Sequence, residues 1–320
     1  MNQLVTVFCN SDELSKYIVW EFANNGYNVN VVVDDIKKAN YMKSYGLPGR
    51  ISIVTGDIVN YTQITSFIKI SDIVVNCFDL KIGNKKYLNL VNSFFPDFLA
   101  ECAAKYNIKK YIHISSISAE LDSKSSYGAM KKNAENNIIE KAKHCSTILR
   151  IGNLISNESK YISCICQFAN LPFIVLPKSI KNNFLYLTNA IDIAKSIINT
   201  VNDNKTNGKI YNLVNQEINQ LDFVKSILTT VNKNPKIVFI PNKLSKIKYS
   251  FMQKIPSDFL CFASQILYSS DIVNSNKINV NMFEKLGIKS LNWNEYSEKI
   301  CLRNEDFGIY DENIDIKNYY

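Results

Sequence analysis

The chain has 320 residues, 46% of them apolar and 21% charged, which is enough sequence to bury a large core in one or two domains and too apolar for a disordered or fibrous protein. Its net charge of +8 comes from 37 basic and 29 acidic residues, but only Arg50, Arg150 and Arg303 are Arg, and the Lys are dispersed. That distribution argues against nucleic-acid binding, which relies on Arg forks and a clustered basic face.

In chain order, Leu4 to Phe8 is a short β-branched run, and Glu13 to Asn25 carries Leu14, Tyr17, Ile18 and Phe22 at helical spacing up to Gly26. Tyr27 to Val33, Ile51 to Thr55 and Ile73 to Asn76 read as three further strands. A helix over Pro96 to Lys105 precedes a fifth strand, Tyr111 to Ser115, and Thr147 to Arg150 makes a sixth. Apolar strands alternating with helices predict an α/β fold, a Rossmann-like doubly wound parallel sheet. Residues 157–183 mix short apolar runs with Pro172 and Pro177, Ile191 to Val201 returns to helical spacing, and Lys209 to Val214 to a strand. After about Asn215 the pattern is mainly helical, with Leu221 to Val231, Leu244 to Gln253 and Phe259 to Tyr268 as candidates. The predicted division is a nucleotide-binding domain over 1–155, completed by about 185–215. A smaller, mostly helical C-terminal lobe takes 156–184 and 216–301, and 302–320 is a loose acidic tail.

Eight Cys lie mostly inside apolar stretches, and no secretory h-region precedes Leu4, so reduced thiols in the cytoplasm are expected. His113 and His144 are not placed with Cys at zinc spacing, and no metal site is expected. The longest apolar run, about Phe168 to Pro177, is interrupted and far short of the ~20 residues that span a bilayer. Lys243 to Lys254 alternates Lys with Leu244, Ile247 and Phe251, which suits either peripheral contact with anionic lipid or an ordinary surface helix.

The turn after the first strand should carry glycines so that a pyrophosphate can approach backbone N–H groups. Here the turn is Cys9-Asn-Ser-Asp-Glu-Leu-Ser15, and the glycine positions fall on Cys9, Asp12 and Ser15. Ser11 and Leu14 complete the lining. Asp12 suits the helix dipole but competes with an anionic ligand for the same donors. The cofactor site is therefore expected to be altered, with binding weak or lost. Asp34 or Asp35, at the end of the second strand, is placed to accept a ribose 2′-OH with no Arg for a 2′-phosphate, so NAD is favoured over NADP, with Asp34 as the cofactor residue. Asp57 and Cys77 follow the third and fourth strands, where they can line the adenosine.

Tyr127-Gly-Ala-Met-Lys131 opens a helical stretch and sets a phenol and an ammonium one turn apart. An ammonium there lowers a phenol's pKa toward acid–base range, and Ser115 or Ser116 can hold a substrate oxygen. Strand-end Ser, YxxxK and the Ile148-Leu-Arg150 strand, in that order, are more specific than YxxxK alone. On these residues the chain resembles an extended short-chain dehydrogenase/reductase. Tyr17-Ile-Val19, Pro96, Tyr111 to Ser115, Asp192-Ile-Ala194, Asn207-Gly208 through Tyr211, Gln265 through Val273 and Leu286-Gly-Ile288 extend the likeness. More narrowly, it is similar to the atypical branch containing the dinucleotide-binding accessory subunit of respiratory complex I.

The resemblance implies catalytic Ser116, Tyr127 and Lys131, with Lys131 and Arg150 also at the cofactor. It departs from the family at the glycine turn, at Ile151, where a Pro is usual, and at Asp34, where a basic residue is usual. It implies a structural or assembly role beside respiratory complex I subunits, with little or no catalysis, in the cytoplasm or peripheral on the inner membrane. The alternative is an active NAD-dependent epimerase/dehydratase or reductase using Ser-Tyr-Lys. A homodimer through the helices bearing YxxxK is compatible with either.

Overall fold

The structure is a computed structural model and describes residues 3–43, 46–81, 83–120, 126–241 and 281–305. Its strands are β1 (Leu4–Phe8), β2 (Asn28–Val33), β3 (Ile51–Thr55), β4 (Ile73–Asn76), β5 (Lys110–Ser116), β6 (Ser146–Ile151), β7 (Asn153–Ile155), β8 (Phe173–Pro177), β9 (Phe184–Asn189), β10 (Lys209–Leu213), β11 (Gln216–Asn219) and β12 (Lys236–Ile240). Its helices are α1 (Glu13–Asn24), α2 (Ile36–Ala39), α3 (Tyr61–Lys69), α4 (Lys85–Asn89), α5 (Phe95–Lys105), α6 (Ser126–Ala142), α7 (Lys160–Phe168), α8 (Ala190–Val201), α9 (Gln220–Thr230) and α10 (Trp293–Glu305). The candidate helices over 244–253 and 259–268, the Gln265 to Val273 stretch, the basic run 243–254 and all but the first residues of the acidic tail lie outside the described residues.

Contacts divide the chain into two units. The first takes the described residues within Met1–Ser156, Phe184–Ile218 and Asp271–Asn292, and the second those within Asn157–Asn183, Asn219–Ser270 and Trp293–Tyr320. In the first unit seven strands form a parallel sheet in the order β3-β2-β1-β4-β5-β6-β10. Parallel strands buried on both faces need side chains that are apolar in both directions. Val5, Val7, Val31, Val75, Ile112 and Ile114 face a core shared with α1 and α8, while Phe8, Val32, Val74, Tyr111 and Ile148 face one shared with α3, α5 and α6. Each such side chain contributes about 1.5–3 kcal/mol by leaving water. The order reverses between β1 and β4, which leaves a crevice outside their carboxyl ends, where doubly wound sheets bind ligands.

Asn supplies many of the helix starts. Asn60, Asn84, Asn189 and Asn219 each accept a backbone N–H at the head of α3, α4, α8 and α9. Gly287 stops the 3-10 turn Phe283–Leu286 at φ +73°, a left-handed conformation that favours glycine.

In the second unit α7, α9 and α10 pack together around Tyr161, Phe223 and Trp293, whose rings are stacked or tilted at 4.7–5.9 Å. β8 and β12 form a separate two-stranded parallel ribbon. Residues 157–183 are therefore more regular than their sequence suggests, because Pro172 and Pro177 bound a strand instead of breaking one. Among the described residues, no helix is long and apolar enough to cross a membrane.

Candidate functional site

The loops after β1, β4 and β5 and the first turns of α1 and α6 converge at the switch point. On the β1 side, Asp12 is the N-cap of α1. Its carboxylate accepts from Ser15 N at 2.9 Å and Ser15 Oγ at 2.5 Å. Burial raises the Asp12 pKa against the pull of the Ser15 hydrogen bonds, and the nearby Asp79 charge raises it further. Cys9 is fully buried, and its thiol is pushed up by burial and by Asp12. Ser11 Oγ is buried with no partner among the described residues. Leu14 is buried in the core under the turn. Glu13, one residue into the helix, accepts from Ser156 Oγ at 2.6 Å.

The catalytic candidates meet across the crevice from this turn. Ser116 ends β5 and caps the following 3-10 turn, accepting Ser118 N at 3.2 Å, and it lies within reach of the Tyr127 phenol. Lys131 Nζ lies 5.7 Å from the centre of the Tyr127 ring, as one helical turn dictates, and is 1% exposed. A fourth residue intervenes between them. Tyr127 Oη donates to Asp79 Oδ1 at 2.7 Å, and Lys131 Nζ pairs with the same oxygen at 2.9 Å. Burial pushes the Asp79 carboxyl up, but the Lys131 and Lys81 charges and the hydrogen bonds from Lys131 and Tyr127 outweigh it and hold it at about 2. The Tyr127 phenol is driven well above its ordinary value by burial and then by the Asp79 charge, with the Ser116 hydrogen bond pulling weakly the other way. Asn10 Nδ2 donates to the Asp79 carbonyl at 2.6 Å, so the β1 loop is tied to the β4 loop.

Behind this layer lies a buried ion-pair network. Arg150 reaches Glu135 through Nε at 2.7 Å and Nη2 at 2.6 Å, contacts Glu120, and lies 3.4 Å from Asn212. Ser115 donates to Glu135 at 2.7 Å. Burial pushes Glu135 up and Arg150 down, while the two-point contact is the geometry of an ionised pair. Arg150, expected at the cofactor, thus has its guanidinium committed to Glu135 of α6 and to Glu120, just beyond the 3-10 turn after β5. His113 sits beside Asn76, its Nδ1 3.2 Å from Nδ2, and burial, then the Lys131 charge, keeps it neutral.

The adenosine side is more open. Asp34 is exposed at the end of β2, with no hydrogen bond or ion pair among the described residues, and its neighbour Asp35 caps α2. Asp57 is exposed and accepts Val59 N at 3.0 Å in a tight turn. Cys77 is buried beside Cys9, since Phe8 and Asn76 are register partners and both Cys follow them. These residues suit an adenosine end. The turn does not suit a pyrophosphate, because every glycine position carries a side chain and a carboxylate already takes the Ser15 N–H. Nor does the pair Tyr127–Lys131 stand free for a nicotinamide end. Asp79 and Glu135 are not among the residues that the motif points to. The signals for them are the position of Asp79 just after Asn76-Cys77-Phe78 and that of Glu135 one further turn beyond Lys131.

The fold and the converging Ser, Tyr and Lys define the class as one with the architecture of an extended short-chain dehydrogenase/reductase. No protein-family profile matches the chain. It is 25% identical over 167 residues to the mitochondrial 40 kDa subunit of NADH-ubiquinone oxidoreductase of Neurospora crassa, a match covering 52% of this chain and 44% of that one. It is 26% identical over 219 residues to subunit 9 of the NADH dehydrogenase (ubiquinone) 1 alpha subcomplex of Dictyostelium discoideum, covering 67% and 60%. The matches thus span about half the length of these relatives. UDP-glucose 4-epimerase from Bifidobacterium longum, solved with NAD+ and UDP, superposes with a TM-score of 0.68 over 94% of this chain and 97% of that one at 14% identity, which shows a shared fold. The chain is therefore similar to an atypical extended short-chain dehydrogenase/reductase and, in sequence, to these subunits of the NADH–ubiquinone enzyme.

Proposed function

We propose that this chain is an NAD(P)-binding-fold protein with a structural or assembly role beside respiratory complex I subunits and with little or no catalysis. The observation that carries the reading is Asp79, which takes both the Tyr127 phenol and the Lys131 ammonium at 2.7 and 2.9 Å. A phenol held protonated by a neighbouring carboxylate is a poor general base at neutral pH. Asp12 on the head of α1 supports the same reading, since it occupies a donor that a pyrophosphate would use. Any dinucleotide is held weakly, with Asp34 favouring NAD over NADP. The two curated relatives, both subunits of the NADH–ubiquinone enzyme, support the choice of partner. The corresponding location is the cytoplasm or the periphery of the inner membrane.

Affinity capture of the tagged full chain from gently solubilised respiratory membranes tests this. Co-purification of complex I subunits is expected, unchanged in Tyr127→Phe. Recovery of the chain alone would contradict it.

A second reading is an active NAD-dependent epimerase/dehydratase or reductase, favoured by the meeting of Ser116, Tyr127 and Lys131. It requires turnover that Tyr127→Phe abolishes.

A further inference from the structure

The β8–β12 ribbon of the second unit exposes apolar side chains along one face. Phe173 pairs with Lys236, Val175 with Val238 and Pro177 with Ile240. Register partners project to the same side, so the alternation divides the ribbon into two faces. Ile174, Leu176, Ile237 and Phe239 are buried or half-buried on one. On the other, Phe173, Val175 and Val238 are 51%, 44% and 38% exposed, and Leu171 is exposed just before β8. Single exposed hydrophobic residues are ordinary, but neighbours on one short ribbon form a patch that marks a contact surface.

The charge around the patch identifies the contact. Lys178 follows β8, and Lys225, Lys233 and Lys236 line an open depression of about 480 Å³ at the start of β12. Neither 171–181 nor 231–241 contains an Asp or Glu. Lysines flanking aromatic and aliphatic side chains match the layering of a lipid interface, with ammonium groups at the phosphates and apolar groups just beneath. We propose that this face of the ribbon rests on an anionic lipid surface. Phe173, Val175 and Val238 enter the headgroup layer, and Lys178, Lys233 and Lys236 meet the lipid phosphates. The proposed residues are other than those of the 243–254 run, and the contact does not depend on whether the chain works beside a respiratory complex.

Flotation of the full chain tests the proposal, using vesicles of phosphatidylcholine alone and of phosphatidylcholine mixed with phosphatidylglycerol. Flotation with the mixed vesicles only, released by salt, is expected. Lys233→Gln with Lys236→Gln should weaken partitioning about thirtyfold, at roughly fivefold per lysine. Phe173→Ser with Val175→Ser should weaken it about tenfold or more. These exposed positions should leave the circular dichroism spectrum and Tm unchanged. Removing the charges of Lys243, Lys246 and Lys248 should leave binding that still depends on Phe173. The proposal is overturned by absence of flotation, by flotation that the ribbon variants do not alter, or by a solution dimer that Phe173→Ser dissociates, which would assign the face to a second copy.

Discussion

A carboxylate beside a phenol acts in the opposite sense to an ammonium beside it, and in this chain both lie within reach of Tyr127. Burial is the larger cause of the raised Tyr127 pKa, and the Asp79 carboxylate that accepts from the phenol raises it further. Asp79→Asn removes that charge. Absorbance titration against a Tyr127→Phe reference should then show Tyr127 ionising at lower pH than in the parent chain, and identical titrations would contradict this. The same carboxylate contributes to acid stability. Its folded pKa of about 2 lies below the unfolded value, so its contribution is present above about pH 4 and is lost as pH falls toward 2. With about a third of the side chain exposed, roughly 1–2 kcal/mol is expected, read as the difference between parent and Asp79→Asn in denaturant melts at pH 6 and pH 3. Glu135 lies deeper, and replacing it by Ala would remove the two-point partner of the buried Arg150 guanidinium and leave it the more exposed Glu120. A loss of at most about 3 kcal/mol in denaturant unfolding is expected. Simultaneous replacement of Glu135 and Arg150 by apolar residues should recover much of it.

At the scale of elements, the edge strand β10 is pinned by a buried lysine. Lys110 Nζ, at the start of β5, donates to Thr206 Oγ1 at 2.6 Å, Asn207 Oδ1 at 2.5 Å and the Asp203 carbonyl at 3.3 Å, all just ahead of β10. Burial lowers its pKa to about 8 against the pull of Asp203. Between pH 8 and the unfolded value near 10.5 the unfolded chain binds more protons, so stability should rise with pH across that window. The rise should amount to at most about 3 kcal/mol and be absent from Lys110→Met. Thermal melts of both proteins at pH 8 and pH 10 measure the difference.

The strands of the large sheet were legible in the sequence because burial on both faces leaves runs such as Ile73 to Asn76 with no competing pattern. β8 and β12 were not legible, since a half-exposed two-stranded ribbon places Phe173 and Val238 in solvent and Lys236 in a strand. The Ser116–Tyr127–Lys131 grouping follows from motif order, whereas Asp79 enters through tertiary approach of the β4 loop, which no local spacing records. The role of Asp12 was legible only in part. Its position announces a helix cap, but whether it faces a ligand or its own helix depends on the Ser15 contacts.

For the whole molecule, the fold is shared with a UDP-glucose 4-epimerase solved with NAD+ and UDP, while the sequence relatives are subunits of a respiratory enzyme. A fold hosts many functions, and the distinction rests on the site. On the proposed reading, two carboxylates, Asp12 and Asp79, stand where an anionic cofactor would need donors and a free Tyr–Lys pair. The most direct test is isothermal titration of NADH and NADPH into the full chain and into an Asp12→Gly, Asp79→Asn variant. Weak or undetectable binding by the parent chain, and clear binding by the variant with NADH preferred to NADPH, is the expected result. Micromolar NADH binding by the parent chain, no tighter in the variant, would contradict it.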